Sequence, residues 1–224
     1  AGGGRGGGLV TRPLRLGLPG SVAAGTSSVG RRFAGGGAWR IDADELAREA
    51  VRPGEPALER IRERWGHAVI SADGSLDRDA LRRAAFRDPD ERAALERIVH
   101  GAVGHLREVR RAEARAAGAS VVVEEIPLLF EVGLEDEFDA VIAVDAPRAT
   151  RAERAARHRG WTAEDFRRVE ESQLAPAEKR ARAHRVIEND GTPEDLEREA
   201  RALWDDLLAG ARRGPAVDAR ERLS

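Results

Sequence analysis

Gly20 and Gly25 occupy the two glycine positions of a phosphate-cradling loop, G-x-x-x-x-G-K-[ST], in the stretch Gly20-Ser21-Val22-Ala23-Ala24-Gly25-Thr26-Ser27-Ser28. A loop of this kind joins a strand to a helix. Its backbone N–H groups cradle phosphate oxygens, and the positive end of the helix adds to the attraction. Gly20, Ala23, Ala24, Gly25, Thr26, Ser27 and Ser28 are the expected phosphate contacts, with the Ser27 hydroxyl at the position that ligates Mg²⁺. The lysine position holds Thr26, so the ammonium that bridges the β- and γ-phosphates is missing. A plain small-residue turn between strand and helix would read the same way, and on these residues alone both readings stand.

The elements that must position this loop follow from the apolar pattern. Residues 14–18 form a short strand running straight into it. A second strand ends at Ile41-Asp42. Val121-Val122-Val123, Val141-Ile142-Ala143-Val144-Asp145 and Val186-Ile187-Glu188-Asn189 supply three more, with the β-branched runs of buried parallel strands. Helices fill the gaps. One runs from Pro56 through Trp65 and stops at Gly66. One opens at Asp88-Pro89-Asp90-Glu91 and runs to Gly118, with room for a bend at Gly101 or Gly104. Others open at Thr162-Ala163-Glu164-Asp165 and Thr192-Pro193-Glu194-Asp195, the last with Leu196, Ala200, Leu203, Trp204 and Leu207 on one face. Strands separated by helices predict an α/β fold with a five-stranded parallel sheet. The helical stretch from about Glu45 to Gly118 is too long for a simple crossover and reads as a subdomain inserted between the second and third strands.

Composition bounds the partners. The 224 residues and 24.3 kDa suit one compact domain with a small insertion. Lysine and arginine number 38 against 40 aspartates and glutamates, so no basic excess marks a nucleic-acid binder. Cysteine is absent, which excludes disulfides and thiolate metal sites and points to a reducing, cytoplasmic setting. No apolar run reaches the roughly 20 residues of a membrane span, and the glycine-rich start has no signal-peptide core. Residues 1–12 are expected to be a disordered leader and 211–224 a polar tail, around an ordered part at 13–210. Methionine is absent, so the chain is expected not to be a complete reading frame. Lys179 is the single lysine, and arginine is so abundant that one arginine by itself says little.

Many further segments, in order, carry a family resemblance. They are Ile41-Asp42-Ala43-Asp44-Glu45-Leu46-Ala47-Arg48-Glu49 with Pro53-Gly54, then Ala72-Asp73-Gly74-Ser75-Leu76-Asp77-Arg78, Ala80-Leu81-Arg82-Arg83 and Phe86. Next come Leu95-Glu96-Arg97-Ile98-Val99-His100, Ile126-Pro127-Leu128-Leu129-Phe130-Glu131 and Val144-Asp145-Ala146-Pro147. Gln173, Glu178-Lys179-Arg180-Ala181-Arg182-Ala183 and Val186-Ile187-Glu188-Asn189 with Gly191 complete the series. Over residues 14–208 the chain resembles the dephospho-coenzyme A kinases.

The resemblance implies a P-loop kinase-like three-layer sandwich. Its core is expected at 13–44, 119–150 and 184–210, a helical substrate subdomain at 45–118 and a lid at 151–183. It implies transfer of the ATP γ-phosphoryl group to the ribose 3′-hydroxyl of dephospho-CoA, with Mg²⁺, by a monomer or weak homo-oligomer. Asp44 matches the candidate base, although an aspartate there would equally cap the following helix. Asp42, Arg48 and His100 fall with Asp44 on the substrate side; a lone His on a helix equally serves packing. Glu125 stands where the family usually has Asp and is expected in the metal shell. The lid arginine position reads His158, flanked by Arg157 and Arg159, either of which would meet the phosphates. Asn189 matches a loop near the adenine.

The departures cluster at phosphate-contacting positions. Thr26 replaces the lysine, Ser21 and Ala23 replace glycines, Pro19 a threonine, Gly101 a proline, His158 an arginine and His184 an aspartate. Cβ atoms at Ser21 and Ala23 are expected to crowd the phosphates or to demand positive φ, and the glycines from Gly30 to Gly37 to weaken the helix after the loop. Losing one preorganised charge stabiliser costs on the order of 10²–10³ in rate. A weakened kinase, an inactive relative that only binds nucleotide or a CoA-like ligand, and an error in the N-terminal sequence all fit the residues.

Overall fold

The structure, a computed structural model, describes residues 12–211. The expected leader, apart from Arg12, and the expected tail beyond Ala211 lie outside the described residues. The chain runs β1 (Leu14–Leu18), α1 (Thr26–Gly35), β2 (Trp39–Asp42), α2 (Ala43–Glu49), α3 (Pro56–Trp65), α4 (Arg78–Ala85), α5 (Pro89–Ala116) and β3 (Val121–Glu125). It continues through β4 (Ala140–Asp145), α6 (Arg148–Arg159), α7 (Ala163–Glu171), α8 (Pro176–Arg182), β5 (Arg185–Glu188) and α9 (Pro193–Ala211). The five strands of the described residues are all parallel, in the order β2-β3-β1-β4-β5, with β1 at the centre.

Side-chain alternation along the strands builds three layers. Val121 and Val123 pack with Val29 and Phe33 of α1 and with Leu203, Trp204 and Leu207 of α9. Val122, between them, faces the other way onto Leu46 of α2 and Ala114 of α5. The Phe33 and Trp204 rings stack at 5.5 Å. A separate apolar cluster holds α3, α4 and α5 together through Ile61, Val69, Leu81, Ala85 and Ile98. The long helix α5 passes uninterrupted through Gly101 and Gly104. His184 closes the sheet at β4, its Nδ1 accepting from the Val141 N–H at 3.0 Å. Among the described residues no helix is long and apolar enough to cross a membrane.

The helix after the loop forms despite its glycines. α1 is intact from Thr26 to Gly35, and Gly30 is buried within it. A Cβ on Gly30 would overlap the Glu125 carboxylate. Glycine here is what lets β3 and α1 approach closely; its helix penalty of about 1 kcal/mol is offset by that contact.

Strand register sets where the site falls. Leu18 and Asp42 both stand opposite Glu125, so the carboxyl ends of β1, β2 and β3 finish in one row. In open α/β sheets this is the edge at which ligands bind.

Candidate active site

At the end of β1 the chain stays against β4, with Val144 N–H donating to Pro19 O at 3.0 Å, and then curls away. Ala24 N–H donates back to Ser21 O at 3.0 Å to close the curl. Gly25, at φ +100°, turns the chain into α1, whose first turn has no side-chain cap. Uncapped amides at a helix start are the donors an anion takes. Ala23 sits at φ +60°, the one described non-glycine residue with positive φ. That conformation costs an L-residue about 1–2 kcal/mol. Ser21 escapes it: its hydroxyl donates to Asp145 Oδ1 at 3.1 Å and the side chain is buried. The Thr26 side chain folds back over Gly20, where an added Cβ would strike its Oγ1. Asn189 clips the loop from β5, its Nδ2 donating to Ala24 O at 2.7 Å.

This curl walls a cavity of about 780 Å³, the size of a cofactor or nucleotide pocket. Gly20, Ala23, Ala24, Gly25, Thr26, Ser27, Ser28, Asp44, Arg159 and Asn189 all line it.

The two aspartates after β2 divide their work. Asp42 is the cap of α2: its Oδ1 accepts from the N–H groups of Asp44 at 2.9 Å and Glu45 at 3.0 Å. Its other oxygen accepts from Arg40 at 2.6 Å. Asp44 is left to face the cavity, open to its solvent but recessed. Burial by the surrounding walls holds its carboxyl above the usual carboxylate range, the Asp42 charge adds to this, and Arg48 and Arg159 oppose it. Glu125 is 2% exposed. Its carboxylate binds Arg40 Nε; burial pushes its pKa up, while Arg40 and the nearby Ser27 hydroxyl pull it down.

The remaining expected residues separate. Arg159 reaches the cavity, its guanidinium 4.8 Å from the Trp161 ring, while Arg157 is exposed and paired with Glu153 one turn back. Arg48 is exposed on α2 and acts on Asp44 through its charge alone. His100 is exposed on α5, away from the cavity lining. Arg154, not singled out by the sequence, lines the cavity with His158 and donates to the Asn189 carbonyl at 3.1 Å and Oδ1 at 3.2 Å. Its i, i+4 spacing to His158 was the available signal.

The donor set suits Mg²⁺ in a limited way. Ser27 presents a hydroxyl oxygen, a hard donor, with the buried Glu125 carboxylate close by. Among the described residues no group of three His, Asp or Glu side chains would hold an ion unaided. An ion here would lean on phosphate oxygens and water, as Mg²⁺ does.

A family model described as dephospho-CoA kinase matches residues 14–195. Proteins named dephospho-CoA kinase from Streptomyces avermitilis and Thermobifida fusca are 42% and 40% identical to the chain. Each alignment covers 87% of this chain, and 94% and 96% of the respective relative. A solved dephospho-CoA kinase from Campylobacter jejuni shares the fold, with a TM-score of 0.66 at 21% identity, over 88% of this chain and 98% of its own.

Proposed function

The chain belongs to the dephospho-CoA kinase family, and from that premise we propose that it transfers the γ-phosphoryl group of ATP to the ribose 3′-hydroxyl of dephospho-CoA. One observation carries the assignment of roles: Asp42 takes the helix cap, so Asp44 stands free in the cavity that the uncapped start of α1 also faces.

Asp44 accepts the proton of the 3′-hydroxyl as its oxygen attacks the γ-phosphorus, and ADP departs from the opposite side. The amides at the start of α1 hold the phosphates. Arg154 and Arg159, reaching in from α6, bring positive charge to the phosphoryl group in transit. Ser27, backed by Glu125, would hold Mg²⁺, which when bound neutralises charge on the phosphate oxygens. Residues 45–118 receive dephospho-CoA and 151–183 act as the lid. We place the protein in the reducing cytoplasm, as a monomer or weak homo-oligomer.

A coupled ADP-release assay tests the proposal. The expected result is ADP release that requires dephospho-CoA. Nucleotide binding with no ADP release would favour the non-catalytic relative instead.

A further inference from the structure

The phosphate loop lacks its own lysine, and the chain's single lysine lies beneath it. Lys179, on α8, is 2% exposed. Its Nζ pairs with Glu131 Oε1 at 2.8 Å, donates to Pro127 O at 3.1 Å and reaches Gly20 O at 3.4 Å. The same stretch of chain holds the next two loop residues. Gln173 Oε1 accepts from the Val22 N–H at 3.0 Å. Arg180 reaches Asp145 Oδ2 at 3.4 Å, and the other oxygen of that carboxylate takes the Ser21 hydroxyl. Residues 173–180 therefore meet Gly20 and Val22 directly and Ser21 through one carboxylate. They follow α6 and α7, the first of which carries Arg154 and Arg159 into the cavity.

Burying an ammonium this deeply is costly, and an apolar side chain of the same volume often stabilises as well. An apolar side chain cannot gather two backbone carbonyls from separate loops around one point. That is what the ammonium does here.

We propose that Lys179 is a positioning residue for phosphoryl transfer, acting with Gln173. Together they fix the rising limb of the phosphate loop against the loop at 126–131, and so fix where the amide cradle stands. The inference rests on the kinase reading for its rate readout and adds how the loop is held.

Steady-state kinetics on both substrates tests it, with ADP titrated by calorimetry as a separate reading. Lys179→Met alone would strand the Glu131 carboxylate, so the variant is Lys179→Met with Glu131→Gln, which removes both charges. Gln173→Leu removes one loop hydrogen bond from a half-buried side chain that also lines the cavity, so the loop contribution is read from the ADP titration as well as from KM. We expect kcat/KM for ATP to fall about 100-fold in the double variant, the scale of a 1 Å misplacement. We expect about tenfold in Gln173→Leu, the loss of one hydrogen bond. KM for dephospho-CoA should stay within about twofold in both, since the contacts hold the phosphate loop. Lys179→Arg keeps the charge opposite Glu131 and should recover the melting temperature without recovering KM for ATP, because its fork differs in shape.

A folded double variant with wild-type kcat and KM for ATP overturns the proposal. So does an equal rise in KM for both substrates, which would mark a general loss of structure. If the double variant does not fold, Gln173→Leu decides alone. If the wild type releases no ADP, the kinase reading fails by itself; ADP affinity must then still weaken in these variants, and unchanged affinity overturns the inference independently.

Discussion

Asp42 and Asp44 are two residues apart and do different work, because only Asp42 has the extended backbone, φ −111° and ψ 112°, of a helix cap. Asp44→Asn should lower kcat by about 10²–10⁴ with little change in ATP affinity, measured by ADP release and nucleotide titration. Its stability effect has a definite sign. Folding raises the Asp44 pKa, so its contribution is present below the ordinary carboxylate value and is lost as pH rises through the raised one. At neutral pH the charged Asp44 opposes folding, and thermal melts should place Asp44→Asn at or above wild type. A melt well below it would mean the side chain holds structure. Ala23 offers a second test. Ala23→Gly relieves positive φ but frees the unfolded chain, for a net gain of about 0.5–1 kcal/mol in urea unfolding. The demand for positive φ was legible at Ala23. Which aspartate capped the helix was not, since both positions hold the same residue type and only the backbone of Asp42 is extended.

At the scale of elements, α1 shows why composition misleads. Its glycines read as helix breakers, yet Gly30 is fitted to Glu125 from a strand about ninety residues away in sequence. Gly30→Ala should destabilise by about 1–3 kcal/mol, the range for overpacking, and displace the Glu125 carboxylate that stands behind the proposed metal ligand. Urea unfolding measures the first and the Mg²⁺ dependence of ADP release the second. Helix phase at the end of α6 decides between Arg157 and Arg159, a choice that residue types alone left open. Thr26→Lys tests the loop itself. With the amide curl in place, turnover should rise by about 10²–10³ and nucleotide affinity should improve. No gain in either would show that Ala23 and Ser21 hold a loop the lysine cannot use.

Across the whole molecule, the legible features were local ones. Pro-opened helices and β-branched strands fixed a parallel sheet with a helical insertion, because each signal is complete within a few residues. The grip of residues 173–180 on the phosphate loop was not legible, because Lys179 and Gly20 lie 159 residues apart and only the folded sheet joins them. Phosphoryl transfer from ATP to the 3′-hydroxyl of dephospho-CoA makes a new phosphomonoester. Phosphorus NMR of the reaction mixture tests it most directly. A new phosphomonoester signal on the 3′ position should grow in step with ADP for the wild type and be nearly absent for Asp44→Asn. ADP formation with no new phosphomonoester would contradict that transfer, and an equal signal from both proteins would remove Asp44 as the base.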